Sequence, residues 1–387
     1  MNRQRFNPNV HALGVPPIPR IQRAARDFAG PREDLIDLSQ AVPGYPPPDS
    51  LLQALGQAAS DPACLGYGPI EGEAGFRAAY AADLVRTHGG TVSSDNILIT
   101  SGCNQAFVTA ALTVAAPGES VLMINPWYFN HQSTLAMFGI DTAHVTVDAS
   151  TGFLPDPDKV AAAISPEVRA LAIVTPNNPT GAVYPATLIR ALYELCASRG
   201  IWLILDETYQ DFLPTAHGPA HDLFDDGPAE FLIGLSSFSK SFCVPGHRLG
   251  AVVADLPVIE QMGKIMDNLQ ICAPRAPQVA LAHCLPTLDD WRAGNRDEIN
   301  RRANALRQSL ASLPAWRIDA IGAYFAYVRH PWPEASSVDV AERLARELGM
   351  VALPGAFFGQ GQDQYLRIAF ANVTIERMEH LTTRLTS

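Results

Sequence analysis

The sequence predicts an α/β protein: a large domain with a mainly parallel seven-stranded sheet sandwiched by helices, plus a smaller α+β domain. Three observations lead there. Between residues 95 and 255, seven short β-rich apolar runs alternate with helical patterns, which implies parallel strands covered on both faces. At 387 residues the chain can bury one large core and a second, smaller one. After about residue 286 the texture changes to a long polar helical stretch followed by further strand and helix patterns.

Residues 1–45 are too proline-rich to form a core alone and read as an N-terminal arm and part of the small domain. The run PGYPPP (43–48) reads as a stiff connector. The large domain, 46–285, carries the strands NILIT, SVLMIN, DTAHVTV, ALAIVT, WLILDE, FLIGLSSF and LGAVVA. Among its helices are NQAFVTAALTVA and PATLIRALYELCASRG, the second opened by Pro185 and closed by Gly200. The small C-terminal domain, 286–387, holds the helix DWRAGNRDEINRRANALRQSL, the segment GAYFAYVRH, the helix SVDVAERLARELG and the strand YLRIAFA.

Composition narrows the partners. A net charge of −11 argues against nucleic acid or an anionic membrane, because both recruit basic surfaces. The six cysteines are scattered without CxxC or Cys/His spacing, so no metal site is expected and reduced thiols in the cytoplasm are the natural reading. The N-terminus has no apolar signal segment, and no run is long enough to span a membrane.

The segment SSFSKSFCVPGHRLG (236–250) holds one lysine and one arginine among hydroxyls. Lys240 and Arg248 could be solvated loop charges. They follow a buried-looking strand, however, and charged residues make up only 17% of the chain. Unusual residues recur just past other strand ends, which converge on one crevice in doubly wound sheets. SGCNQA is a glycine turn opening a helix, suited to an anion; NPWYFNH brings aromatic faces and His131; PNNPTG brings Asn178; DETYQDF brings Asp206, a carboxylate at the end of an apolar strand that needs a partner. Together they describe an amine nucleophile, a phosphate cradle, a flat aromatic surface and a buried acid. Pyridoxal 5′-phosphate asks for all four.

From about Ile21 to Asn372 the chain resembles the fold-type I pyridoxal-phosphate-dependent aminotransferases of class I/II. The resemblance implies that Lys240 is the Schiff-base lysine, with Ser237, Ser239 and Arg248 as phosphate ligands. It gives Gly102, Cys103 and Asn104 to the same phosphate and makes Tyr128 the ring-stacking aromatic. Asn178 and Tyr209 match the donors to the phenolic oxygen, and Asp206 the partner of the pyridine nitrogen. Tyr67 in YGPIEGEAGFR resembles the tyrosine that reaches the neighbouring subunit's phosphate, which implies a homodimer. Arg367 in YLRIAFAN resembles the arginine that grips the substrate α-carboxylate.

The stretch DLSQAVPGYPPP is similar to the opening motif of the kynurenine, glutamine and methionine aminotransferase group, with Ala41 where a glycine is usual. The added methyl would narrow the substrate pocket. Arg275 in ICAPRAPQ stands where a small polar residue is usual, and either adds charge to the site or points to solvent. The activity implied is a ping-pong transfer of an amino group from an amino acid to a 2-oxo acid. A β-eliminating carbon–sulfur lyase would keep the cofactor and most of these motifs. A ligand-sensing module would keep the lysine but needs a DNA-binding domain, for which residues before 45 leave no room. Tyr45, Trp127 and Phe357 are expected as apolar walls of the side-chain pocket, favouring neutral, apolar or aromatic donors over aspartate.

Overall fold

A computed structural model describes residues 6–214 and 217–386. Its strands, numbered along the chain, are β1 (Ile36–Asp37), β2 (Ile97–Thr100), β3 (Ser120–Asn125), β4 (Asp141–Thr146), β5 (Val168–Val174), β6 (Trp202–Asp206), β7 (Leu232–Ser237), β8 (Gly250–Ala254), β9 (Arg317–Gly322), β10 (Phe325–Arg329), β11 (Met350–Val351), β12 (Leu353–Pro354) and β13 (Tyr365–Ala369). Seven of them form the large sheet in the order β2-β8-β7-β6-β5-β3-β4. Only β8 runs against the rest.

The apolar runs are continuous because both faces are covered. Ile97, Ile99, Leu203, Leu205 and Val253 pack on one side; Leu98, Ile204, Ile233, Leu235 and Val252, at alternating positions, pack on the other. Leu205 is fully buried, and truncating such a side chain to alanine costs about 2–5 kcal/mol. The register sets Val174 opposite Asp206 and Asp206 opposite Leu235, so β5 and β6 end level and β7 runs two residues further, to Ser237, along one rim.

A third core gathers Ile21, Ile36 and Leu38 from the N-terminal arm with Leu306, Leu344, Leu353, Ile368 and Leu381. Tyr209 and Phe212, which follow β6, belong to it as well. Its four-stranded antiparallel sheet has the order β12-β13-β10-β9. The arm is stitched in by the parallel pair β1–β11 and by the Ala369 amide, which donates to the Leu38 carbonyl at 2.8 Å. The helix Asp289–Ala311 links the cores: Arg292 in its first turns donates to Asp83 at 2.8 Å and to Asp211 at 2.5 Å. Among the described residues no helix is long and apolar enough to cross a membrane.

Candidate active site

A cavity of about 280 Å³ opens at the rim, and most of the residues singled out from the sequence line it. Lys240 sits in the one-turn helix Phe238–Ser241 that follows β7, and its amine donates to the Ala41 carbonyl. Burial, with the charges of Arg367 and Arg248, lowers this ammonium to about 8. The amine lone pair is thus available much nearer neutrality than in an ordinary lysine.

Two strand ends away, Gly102 caps the helix Cys103–Val114 with φ 86° and ψ 165°, a region reserved for glycine. Its missing side chain matters doubly, because a Cβ there would lie 2.3 Å from Arg248 Nη2. Arg248 is held against this turn by the Ser101 carbonyl at 3.2 Å and the Pro245 carbonyl at 3.0 Å. The first-turn amides of the helix have no intrahelical acceptor. With Arg248, Ser237 and Ser239 they surround a space suited to an anion.

Asp206 ends β6, 3% exposed. The Thr208 amide donates to its Oδ1 at 2.9 Å, and His131 Nε2 stands 3.3 Å from its Oδ2. The His131 ring is itself fixed by stacking on Phe107, centroids 3.8 Å apart. Tyr128 meets His131 edge-on, and its hydroxyl accepts from Asn130 Nδ2 at 2.8 Å. Burial raises the Tyr128 hydroxyl to about 12 and pushes that of Tyr209 well above its ordinary value, so both stay protonated.

Arg367, on β13, closes the cavity from the other core. It donates to the Ser39 carbonyl and to Asn178 Oδ1, the latter at 3.3 Å, and lies over the rings of Phe325 and Phe358. Its Nε is buried without a hydrogen-bond partner among the described residues. Burial lowers this guanidinium to about 10.

Three expected walls are not there. Tyr45 packs on Trp291 and lies under Arg302, Trp127 packs on His144, and Phe357 joins the third core; none lines the cavity. The walls are Ile18, Gln40, Val42, Phe129 and Asn130 instead, with Ile18 brought over by the helix Pro17–Ala24. Tyr67 is 79% exposed and outside this chain's cavity. Arg275 donates to Glu73 at 2.6 Å and to the carbonyls of Ala63 and Gly66 at 2.7 and 3.2 Å, bracing the loop before Tyr67. Thr208 and Asn130 were legible in DETY and NPWYFN only as neighbours of the residues that drew attention.

A profile described as aminotransferase class I and II matches residues 33–385. The chain belongs to this family. The aminotransferase is 27% identical over 90% of its length to aromatic aminotransferase ISS1 of Arabidopsis thaliana, covering 88% of that protein. It is 32% identical over 84% of its length to a probable N-succinyldiaminopimelate aminotransferase of Mycobacterium tuberculosis, covering 82% of it. A solved N-succinyldiaminopimelate aminotransferase of that organism superposes with a TM-score of 0.89 at 27% identity, over 99% of both chains. Thermus thermophilus aspartate aminotransferase with maleate gives 0.90 at 24% identity, also over 99% of both, a likeness of fold. The family depends on pyridoxal 5′-phosphate and acts on amino acids and 2-oxo acids.

Proposed function

We propose that this aminotransferase holds pyridoxal 5′-phosphate in the rim cavity and transfers the amino group of a neutral, apolar or aromatic amino acid to a 2-oxo acid in two half-reactions. The donor set suits the cofactor: an anion cradle around Gly102 and Arg248, a buried carboxylate at Asp206, and a lysine whose charge burial disfavours. When bound, pyridoxal 5′-phosphate supplies an aldehyde that condenses with amines and a pyridine ring that takes up the electron pair left at the substrate Cα.

The chain's own groups do the rest. Cys103 and Asn104 with their amides, Ser237, Ser239 and Arg248 bind the phosphate. Asp206, oriented by Thr208 and His131, keeps a proton on the ring nitrogen. Tyr128 offers its face to the ring. Asn178 has its Oδ1 occupied by Arg367, which leaves its Nδ2 hydrogens to donate to the phenolic oxygen alongside the Tyr209 hydroxyl. Lys240 Nζ takes the Cα proton and returns it one position away. Arg367 grips the α-carboxylate with the guanidinium N–H groups that Ser39 and Asn178 leave unused.

The cavity's cations carry the choice of donor. Lys240, Arg248 and Arg367 are the only lysine and arginines lining it among the described residues, and each already has a task. Arg275 is tied to Glu73. The remaining walls, Ile18, Val42, Phe129 and Ala41, suit an uncharged side chain. Specificity constants for phenylalanine, methionine, glutamine and aspartate test this: aspartate is expected last, and aspartate first would refute the reading.

Within the family, Gln40 and Ala41 of the DLSQAVPG stretch both line the cavity, which supports a place near the kynurenine, glutamine and methionine group. The exposed Tyr67, braced by Arg275, supports a homodimer in which it serves the partner's phosphate. Acidic charge and free cysteines support a cytoplasmic setting. The cores support a cofactor-binding domain at 46–285 with a core on each face of the large sheet, and a small domain at 286–387 of which the N-terminal arm, 1–45, forms part.

A further inference from the structure

Asp206 and Glu207 are consecutive at the end of β6, and their side chains leave on opposite faces of the sheet. Asp206 meets His131 on the cavity side. Glu207 points into a pocket closed by His88, the last residue of the helix Ala74–His88, and by His221. All three are buried, and one ligand-capable atom from each lies within 4.8 Å of the others, a spacing that could hold a metal ion.

The hydrogens decide otherwise. The Leu223 amide donates to His221 Nδ1 at 3.1 Å. A neutral imidazole that accepts at Nδ1 carries its proton on Nε2, so His221 donates to Glu207 Oε2 at 3.3 Å and has no lone pair there for a metal. His88 is the converse case. Thr87 Oγ1 gives its single proton to the helix carbonyl of Asp83 at 2.9 Å, so it accepts from His88 Nδ1 at 3.0 Å. A neutral His88 would then turn its Nε2 lone pair on Glu207 Oε1 at 3.6 Å, and among the described residues neither atom has a hydrogen-bond partner. One proton on His88 Nε2 replaces that repulsion by the attraction of an ion pair.

We propose that His88 is an imidazolium in the folded aminotransferase, that Glu207 accepts an N–H from His221 and forms an ion pair with the His88 ring, and that this buried ion pair positions the Asp206 end of β6. The other charges facing His88 agree. Asp83 and Asp211 are taken by Arg292, and Asp83 also by Arg86, which leaves Glu207 to the imidazoles. Burial opposes the charge on His88, but the neighbouring Glu207 carboxylate outweighs it and raises the ring above its ordinary value. Transmission is short: the Glu207 amide donates to Leu235 at 2.9 Å and the next amide, of Thr208, holds Asp206. Only this last step rests on the role proposed for Asp206; the protonation of His88 does not.

Two variants of the holoenzyme separate donation from packing. His88→Gln keeps a donor without titrating; His88→Phe keeps a ring against Phe224 and His221 without donating. His88→Gln is expected to hold kcat within about threefold of wild type, while His88→Phe loses about tenfold or more in kcat at little change in KM, as a buried acceptor left unmet demands. Wild-type-like kcat in His88→Phe overturns the positioning role. Nitrogen NMR of histidine-labelled protein at pH 7.5 is expected to show one ring protonated on both nitrogens that His88→Gln lacks. A singly protonated His88 overturns the charge assignment, as does stoichiometric zinc binding abolished by His88→Gln.

A raised group stabilises fully below its unfolded value of about 6.5 and loses that contribution as pH rises through the folded value. The ratio of wild-type to His88→Gln folding constants is therefore expected to fall as pH rises above about 6.5, by up to about tenfold per unit. A flat or rising ratio counts against His88. These readouts do not involve Asp206, so they stand or fall apart from the function proposed above.

Discussion

Replacing Gly102 by alanine separates two effects that coincide at one atom. The backbone there has φ 86° and ψ 165°, which an alanine adopts only at a penalty of about 1–3 kcal/mol. The new Cβ would also stand 2.3 Å from Arg248 Nη2 and 2.9 Å from its Cζ, so the guanidinium must leave the turn. Strain is present with or without cofactor and lowers stability in both states. Displacement of Arg248 gives up its bonds to the Ser101 and Pro245 carbonyls in both states, and in the anion-bound state alone it also loses a hydrogen bond to a charged group, worth about 1.5–3 kcal/mol. At 1.4 kcal/mol per decade this is about a 10- to 150-fold rise in the Kd for pyridoxal 5′-phosphate. Titration of the apoenzyme, followed by quenching of tryptophan fluorescence, measures the second effect, and thermal melting of the apoenzyme measures the first. A Kd within twofold of wild type, in a protein whose Tm has fallen, would show that Arg248 is not a cofactor ligand.

Asp206→Ala should retain cofactor, since the anion cradle is untouched, yet lose about 10²- to 10³-fold in kcat; near-normal turnover would make Asp206 structural. Lys240 gives a pH signature in the apoenzyme. Its folded value is lowered to about 8, so between there and about 10.4 the unfolded chain binds the extra proton and stability attributable to this site rises with pH. Lys240→Met should therefore be more stable than wild type at pH 7.5, by a margin that shrinks towards pH 10 in urea unfolding; a margin that widens would contradict the burial of this amine.

Six of the large-sheet strands could be read from the sequence because they are buried on both faces and so appear as apolar runs, whereas the edge strand β4 is largely exposed and showed itself only by its β-branched residues and its place in the strand–helix alternation. β9 could not: Arg317–Gly322 is half-exposed throughout, with no alternation to mark a buried side. β1, β11 and β12 are two residues each, too short for any period, and exist only because remote segments pair. The site shows the same division. Lys240, Asp206 and Asn178 follow strands whose ends converge by topology, so their meeting was predictable. Ile18 reaches the cavity through the path of the N-terminal arm, which no local pattern encodes. Tyr45 and Trp127 misled because a large ring beside a motif is as well used inside a core as at a pocket wall. The His88–Glu207–His221 cluster was missed because its members lie far apart in sequence and Glu207 was overshadowed by its neighbour.

Arg367 touches Ser39 and Asn178, partners 328 and 189 residues away along the chain. This gives the cavity an order of birth. A chain leaving the ribosome has made the anion cradle and Lys240 once residue 248 is out, but the guanidinium that faces them arrives more than a hundred residues later, and it cannot settle until the arm made first has waited to receive it. Domains made early fold early. The nascent enzyme thus passes through an interval in which Lys240 is in place and the group that both helps to lower its charge and is assigned to grip its substrate has not yet been made.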